Sequence, residues 1–99
     1  MPNKLKKLGD VDLLVIAAQK AAQEGSVAWQ YELGWMYVKG ERVTQDYKEG
    51  LKWLHLSAEQ GYAHAQYQIG LMYSHGMGVI QDYKKSAEWI KLAAEQGDA

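Results

Sequence analysis

Three histidines, His55, His64 and His75, and two aspartates in matching contexts, Asp46 and Asp82, are the side chains of this 99-residue sequence best suited to acid–base or metal chemistry. General acid–base catalysis needs such groups to converge on one reacting atom, and a zinc site needs three or four ligands in one shell. The histidines show neither H-x-x-x-H nor H-E-x-x-H spacing. The sequence has no cysteine, which excludes a thiol nucleophile, an Fe–S cluster, Cys-ligated zinc and disulfides. The G-M-G run at 76–78 has no strand before it and no helix-opening lysine after it, so it is not a phosphate-cradling loop. Each aspartate stands just before a helical pattern, where a carboxylate accepts from unpaired backbone N–H groups. The chemistry expected of them is capping, and no cofactor or metal is expected.

The elements that position these residues come from a repeat. Asp46 and Asp82 are separated by 82 − 46 = 36 residues, and the same step links Gly34 to Gly70, Tyr37 to Tyr73, Gly40 to Gly76, Trp53 to Trp89 and Gly61 to Gly97. Residues 26–61 and 62–97 are therefore two full units. The register extended backwards places Ala22 on Ala58 and Gly25 on Gly61. Residues 11–25 then read as the second half of a unit, preceded by an extension at 1–10. The sequence predicts about two and a half repeats in a single repeat domain.

Within a unit, apolar spacing of three and four residues predicts two helices around a short loop. Five are expected, at about 11–24, 27–38, 46–60, 63–74 and 82–96, with ends uncertain by ~2–4 residues. In the first helix of a unit, Val27, Tyr31, Gly34 and Val38 share a packed face, with Leu33 and Tyr37 flanking it. In the second, Gly50, Leu51, Leu54, Ser57 and Ala58 oppose Lys48, Lys52, His55 and Glu59. Asp46 with Glu49 forms a candidate capping box, whereas Asp82 with Lys85 keeps only the cap. Gly61 and Gly97 are expected as left-handed stops, and Gly40 and Gly76 as ends of the first helices. Gly34 and Gly70 lie inside helices, where glycine costs about 1 kcal/mol relative to alanine, so they mark close helix crossings.

Composition excludes several classes. With 23% charged residues, a net charge of −1 and no like-charge run longer than Lys6-Lys7, no nucleic-acid surface is expected. No run reaches the ~20 apolar residues that span a bilayer, so no membrane partner is expected. Lys4, Lys6 and Lys7 precede the apolar run Leu13 to Ala18, but Asp10 and Asp12 border it and Gln19-Lys20 end it. That is a poor signal peptide, which favours a cytoplasmic location.

The unit pattern, LG-x-x-Y-x-x-G, a loop, D-x-x-x-small-x-x-W and AAEQG, resembles the Sel1-like repeat (SLR), a relative of the tetratricopeptide repeat. One copy reads LGWMYVKG and then VTQDYKEGLKWLHLSAEQG; the other reads IGLMYSHGMGVIQDYKKSAEWIKLAAEQG. The resemblance covers residues 11–99. It implies an all-α fold, a short α-solenoid of antiparallel helix hairpins stacked in a right-handed superhelix, and a role in binding proteins as adaptor or scaffold. The sequence departs from the pattern at Trp29, where alanine is usual and Ala65 obeys, at Gly50 and Ser86, also usually alanine, and at Arg42, which replaces a second loop glycine kept as Gly78. Hydrolytic activity ascribed to some relatives concerns chiefly cysteine-rich ones.

The expected function is non-catalytic recognition of a protein or peptide on the inner helices. Glu32, Trp35, Met36 and Lys39 in one copy, and Gln68, Leu71, Met72 and His75 in the other, are the candidate contacts. Trp35, Met36, Leu71 and Met72 would be apolar anchors and Glu32, Lys39 and His75 polar selectors, since aromatic residues and methionine carry much interface energy. Trp53 and Trp89, which recur in the motif, are read as structural. A second reading, from a different class, is a self-assembling structural unit. About three repeats are normally needed for a stable stack, and Tyr83, Ala87, Ile90 and Ala94 on the last helix lack a following unit. On that reading the expectation is either a homo-oligomer, of which exchange of the first helix at the Trp29 joint is one form, or a piece of a longer array. A hydrolase ranks third.

Overall fold

Residues 12–97 are described by a computed structural model; residues 1–10, read above as an extension, and residue 11, the expected start of the half repeat, lie outside them. Five α-helices follow one another: α1 (Leu13–Gln23), α2 (Val27–Lys39), α3 (Tyr47–Glu59), α4 (Ala63–His75) and α5 (Tyr83–Gly97). Each packs on its neighbours in the chain, giving an elongated body of 48 × 27 × 18 Å. It is the all-α solenoid of hairpins that the repeat predicts, with α2–α3 and α4–α5 as hairpins and α1 as a lone second-type helix.

The starts and stops follow local chemistry. Asp46 Oδ1 accepts from the Glu49 amide at 3.0 Å, and Asp82 Oδ1 from the Lys85 amide at 3.0 Å. The capping box is only half made, because the Glu49 carboxylate pairs with Lys52 at 2.9 Å and the Asp46 amide donates to the Tyr37 carbonyl. Gly40 (φ 73°) and Gly76 (φ 66°) end α2 and α4 in the left-handed region that a side chain disfavours. Gly97 departs from expectation: it is the last residue of α5, not a stop beyond it.

Two apolar clusters run along the stack. The first joins Val15, Ala18 and Ala22 of α1 to Leu33 and Met36 of α2, with Trp53 packed against it. The second joins Val38, Leu51, Leu54 and Ala58 to Ala65, Ile69 and Met72, with Trp89 against it. The hairpins close through glycine. A Cβ on Gly34 would lie 2.9 Å from the Gly50 carbonyl oxygen and 2.9 Å from Leu54 Cγ, and one on Gly70 would lie 2.6 Å from Ile90 Cγ1.

Glutamines tie units together. Gln30 Nε2 donates to the Ala22 carbonyl at 3.1 Å, and Gln60 Nε2 donates to Gln30 Oε1 at 2.8 Å. One unit later, Gln66 donates to the Ala58 carbonyl at 3.1 Å and Gln96 donates to Gln66 Oε1 at 2.7 Å. Gln30 and Gln66 are each 5% exposed, so their amides need these partners; an unpaired buried amide costs about 1–3 kcal/mol.

Candidate protein-binding surface

Helices α2 and α4 position the eight residues expected to contact a partner, and the structure divides them. Met36 (8% exposed), Gln68 (8%) and Met72 (1%) are core residues. This corrects their expected place on an open face. The packed arc of such a helix is wider than one stripe because it meets two helices, its own hairpin mate and the helix before it. Leu33 and Met36 face α1, and Ile69 and Met72 face α3. A signal was present: Met36 and Met72 are identical in the two copies, as core positions of a repeat tend to be, whereas Trp35 and Leu71 differ.

The other five stay accessible. Glu32, Lys39 and His75 are exposed, and Trp35 and Leu71 are half-buried. The Lys39 ammonium lies 5.4 Å from the Trp35 ring centroid and 3.0 Å from the Glu41 carboxylate, so the indole carries a cation on its face. His75 Nδ1 is 2.9 Å from the Leu71 carbonyl oxygen. The same nitrogen lies 3.0 Å from Ser74 Oγ, so the ring is held at the end of α4 by its own helix.

An aromatic cluster that helical spacing does not reveal joins two units. Tyr31, packed against the second apolar cluster as its stripe predicts, also meets Tyr62 and His64 at the start of α4. The ring centroids lie 5.5 Å apart for Tyr31–Tyr62, 5.9 Å for Tyr31–His64 and 5.6 Å for Tyr62–His64. Tyr67, the counterpart of Tyr31, is 47% exposed. Burial first, then the nearby Glu32 carboxylate and Tyr62, raise the Tyr31 phenol above its ordinary pKa. It therefore remains a neutral hydrogen-bonding group at physiological pH.

On the other side of α2, a loop and α1 enclose an open groove of about 620 Å³, lined by Asp12, Ile16, Tyr37, Arg42, Thr44 and Gln45 among others. Arg42 holds a backbone conformation that suits glycine, φ 67°, as its counterpart Gly78 does at φ 73°. Its guanidinium donates to Asp12 Oδ1 at 3.1 Å and Oδ2 at 3.0 Å. Asp12 also caps α1, accepting from the Leu14 and Val15 amides. Desolvation pulls the Asp12 carboxyl up, but the Arg42 hydrogen bond and charge, with those amides, outweigh it and hold the pKa below the ordinary 3.8. The sign follows: stability from a depressed carboxylate is complete above the unfolded pKa and is lost as pH falls through the folded one. Asp12→Asn, which keeps a capping oxygen, should lower Tm at neutral pH yet match wild type at about pH 2. Circular dichroism melts at both pH values check this, and an equal gap at both would refute it.

The expected self-association residues lie at the two ends. Trp29, at the α1–α2 joint, is 37% exposed, and Tyr83 is 70% exposed. Ala87 and Ala94 are exposed and Ile90 is half-buried against Gly70.

The histidines do not converge. His55 sits edge-on to Trp89 with centroids 5.5 Å apart, His64 belongs to the tyrosine cluster and His75 bonds the end of its own helix. Among the described residues no three His, Cys, Asp or Glu side chains could hold a metal ion, and no helix is long and apolar enough to cross a membrane. What the arrangement offers is surface: aromatic rings, Trp35 among those that carry a cation, on helices packed into a stack.

Fold and surface together define a helical-repeat domain of the α-solenoid class. The Sel1 repeat family model matches residues 30–62 and 63–98, and the chain belongs to that family. Repeats of this family generally mediate protein–protein interaction and are generally non-catalytic. Among solved structures, a Sel1 repeat protein from Oxalobacter formigenes is 36% identical with a TM-score of 0.80, over 85% of this chain and 34% of that one. The c5321 protein, a protective antigen of uropathogenic Escherichia coli strains displaying an SLR fold, is 38% identical with a TM-score of 0.82, over 88% of this chain and 18% of that one. This chain thus spans about a third and under a fifth of their lengths. No curated protein matches it.

Proposed function

We propose that the chain is a non-catalytic recognition module that binds an extended peptide or protein segment along α2 and α4. One observation carries this reading: Tyr31, Tyr62 and His64 form a ring cluster across the joint between units, on helices that also carry half-buried Trp35 and Leu71 and exposed Tyr67. Aromatic residues bury large areas while freezing few torsions, which makes such a strip an anchor for a partner. Glu32, Lys39 and His75 would select among partners by charge and hydrogen bonding. The test is to pan a random peptide library against the chain and measure affinities of the selected peptides. Trp35→Ala or Tyr31→Ala should weaken binding by roughly tenfold or more, as loss of an aromatic anchor does. Lys48→Ala, on the exposed side of α3, should leave it unchanged. Peptides that bind both aromatic variants at wild-type affinity would overturn the reading.

A further inference from the structure

Two of the three rings in the cluster at the start of α4 break the repeat that surrounds them. Tyr62 and His64 stand 62 − 26 = 36 and 64 − 28 = 36 residues after Ser26 and Ala28, so a capping serine and an alanine of one unit become rings in the next. The exchange gives up a helix cap. Ser26 Oγ accepts from the Trp29 amide at 3.3 Å at the start of α2, whereas Tyr62 holds the same position before α4 without a side-chain cap, which costs helix stability. Packing of Tyr62 on the second apolar cluster returns part of that loss, but an aliphatic side chain would pack there too. What the phenol adds is a π face next to those of Tyr31 and His64. A position that breaks a local rule in this way marks a site with another task.

The chemistry of the place calls for a cation. Aromatic faces are negative and attract one, and the chain supplies its own to three other rings. Lys39 stands over Trp35 at 5.4 Å, Lys52 over Trp53 at 5.4 Å and Lys85 over Tyr73 at 5.6 Å. Among the described residues no lysine or arginine stands over Tyr31 or Tyr62. Those two rings meet at 52°, so they are not stacked face to face. Glu32 adds a negative charge to the same place, since burial first and its carboxylate second raise the Tyr31 phenol. It enters none of the ion pairs formed among the described residues. Its helical neighbours three and four residues away, Ala28, Trp29, Trp35 and Met36, include no cation that could reach it.

We infer that Tyr31, Tyr62, His64 and Glu32 form a subsite for an arginine side chain of the partner segment. A guanidinium is flat, stacks on an aromatic face and at the same time presents paired N–H donors to a carboxylate. A lysine ammonium is a compact point charge, more strongly hydrated and without that fork, and fits the pair of partners less well. The inference rests on the reading that a peptide binds along α2 and α4, and adds the chemistry of one point on it. Because Ser26 and Ala28 bear no ring, the subsite does not recur with the repeat, and an arginine bound there sets the register of the segment on the stack.

The test uses peptides selected from the random library against the full chain. Arginine is expected at one position of the selected sequences. Replacing it with citrulline, which keeps the shape and drops the charge, should weaken binding to wild type roughly tenfold, and lysine should recover only part of that loss. Glu32→Gln changes an exposed residue and leaves the packing alone. It should weaken binding of the arginine peptide and shrink the citrulline effect to about twofold, because the two changes remove one interaction. Tyr62→Ser, which puts back the residue that caps α2 and removes a ring, should shrink it likewise, with circular dichroism showing the helices retained. Two results would overturn the inference while leaving peptide binding along α2 and α4 in place. One is a set of peptides that need Trp35 but carry no arginine. The other is an arginine whose replacement by citrulline costs the same in wild type and in both variants. A library that yields no binder would overturn both.

Discussion

Leu54→Ala is expected to destabilise the chain by about 2–5 kcal/mol, the range for removing a buried leucine side chain and leaving a cavity. Leu54 is fully buried and touches two structures at once, the second apolar cluster and the backbone crossing at Gly34. The surroundings have little freedom to collapse, because α2 cannot come closer while the Gly34 and Gly50 backbones are already in contact. In a domain of this length each kcal/mol moves Tm by roughly 4–8 °C, so a fall of some 10 °C or more is expected in a thermal melt. Leu14→Ala is the control: Leu14 is 41% exposed, and the change should stay within about 0.5 kcal/mol. Similar melts for the two variants would mean the second cluster is not the core described here.

Gly34→Ala tests the same crossing by overfilling it. In a solvent-facing helix this substitution stabilises by about 1 kcal/mol. Here the new methyl group would stand 2.9 Å from the Gly50 carbonyl oxygen and 3.1 Å from the Leu54 amide nitrogen, and neither is the movable end of a side chain. Helices α2 and α3 must separate, at a cost of about 1–3 kcal/mol for overpacking. The crowding involves backbone, so the upper part of that range applies and net destabilisation of about 1–2 kcal/mol is expected. Chemical denaturation measures it as a lower midpoint at unchanged slope. An unchanged or raised midpoint would show that the crossing is looser than these distances.

Much of the fold was legible because its signals are local and repeated. The 36-residue step, the aspartates that cap α3 and α5 and the glycines that end α2 and α4 each act within a few residues of themselves. Gly34 could be read as a crossing point because a helix tolerates glycine poorly unless something needs the space. The surface was less legible. Whether Trp35 or Met36 faces outward depends on which helices flank α2, and a single hydrophobic stripe cannot encode two contacts at different angles. Gln68 was misplaced for the same reason: it matches exposed Glu32, yet it is buried one unit further into the stack. The Tyr31 cluster and the Asp12–Arg42 pair join residues about 30 apart, beyond the reach of helical periodicity. Arg42 was visible as a departure from the loop pattern, but its reason lay in a residue of another unit.

The paired glutamines have a consequence for whatever lies along the stack. In each pair one amide bonds a main-chain carbonyl of the preceding helix and accepts from the amide that closes its own hairpin. Sliding a helix by one residue, a rise of about 1.5 Å, would break the set, and the buried amides would have no water to turn to. The interval between units is therefore set by hydrogen-bond geometry and not by side-chain bulk. Side chains on α2 and α4 can vary, as Trp35 and Leu71 do, while the interval holds. The domain is a ruler with fixed divisions and interchangeable markings.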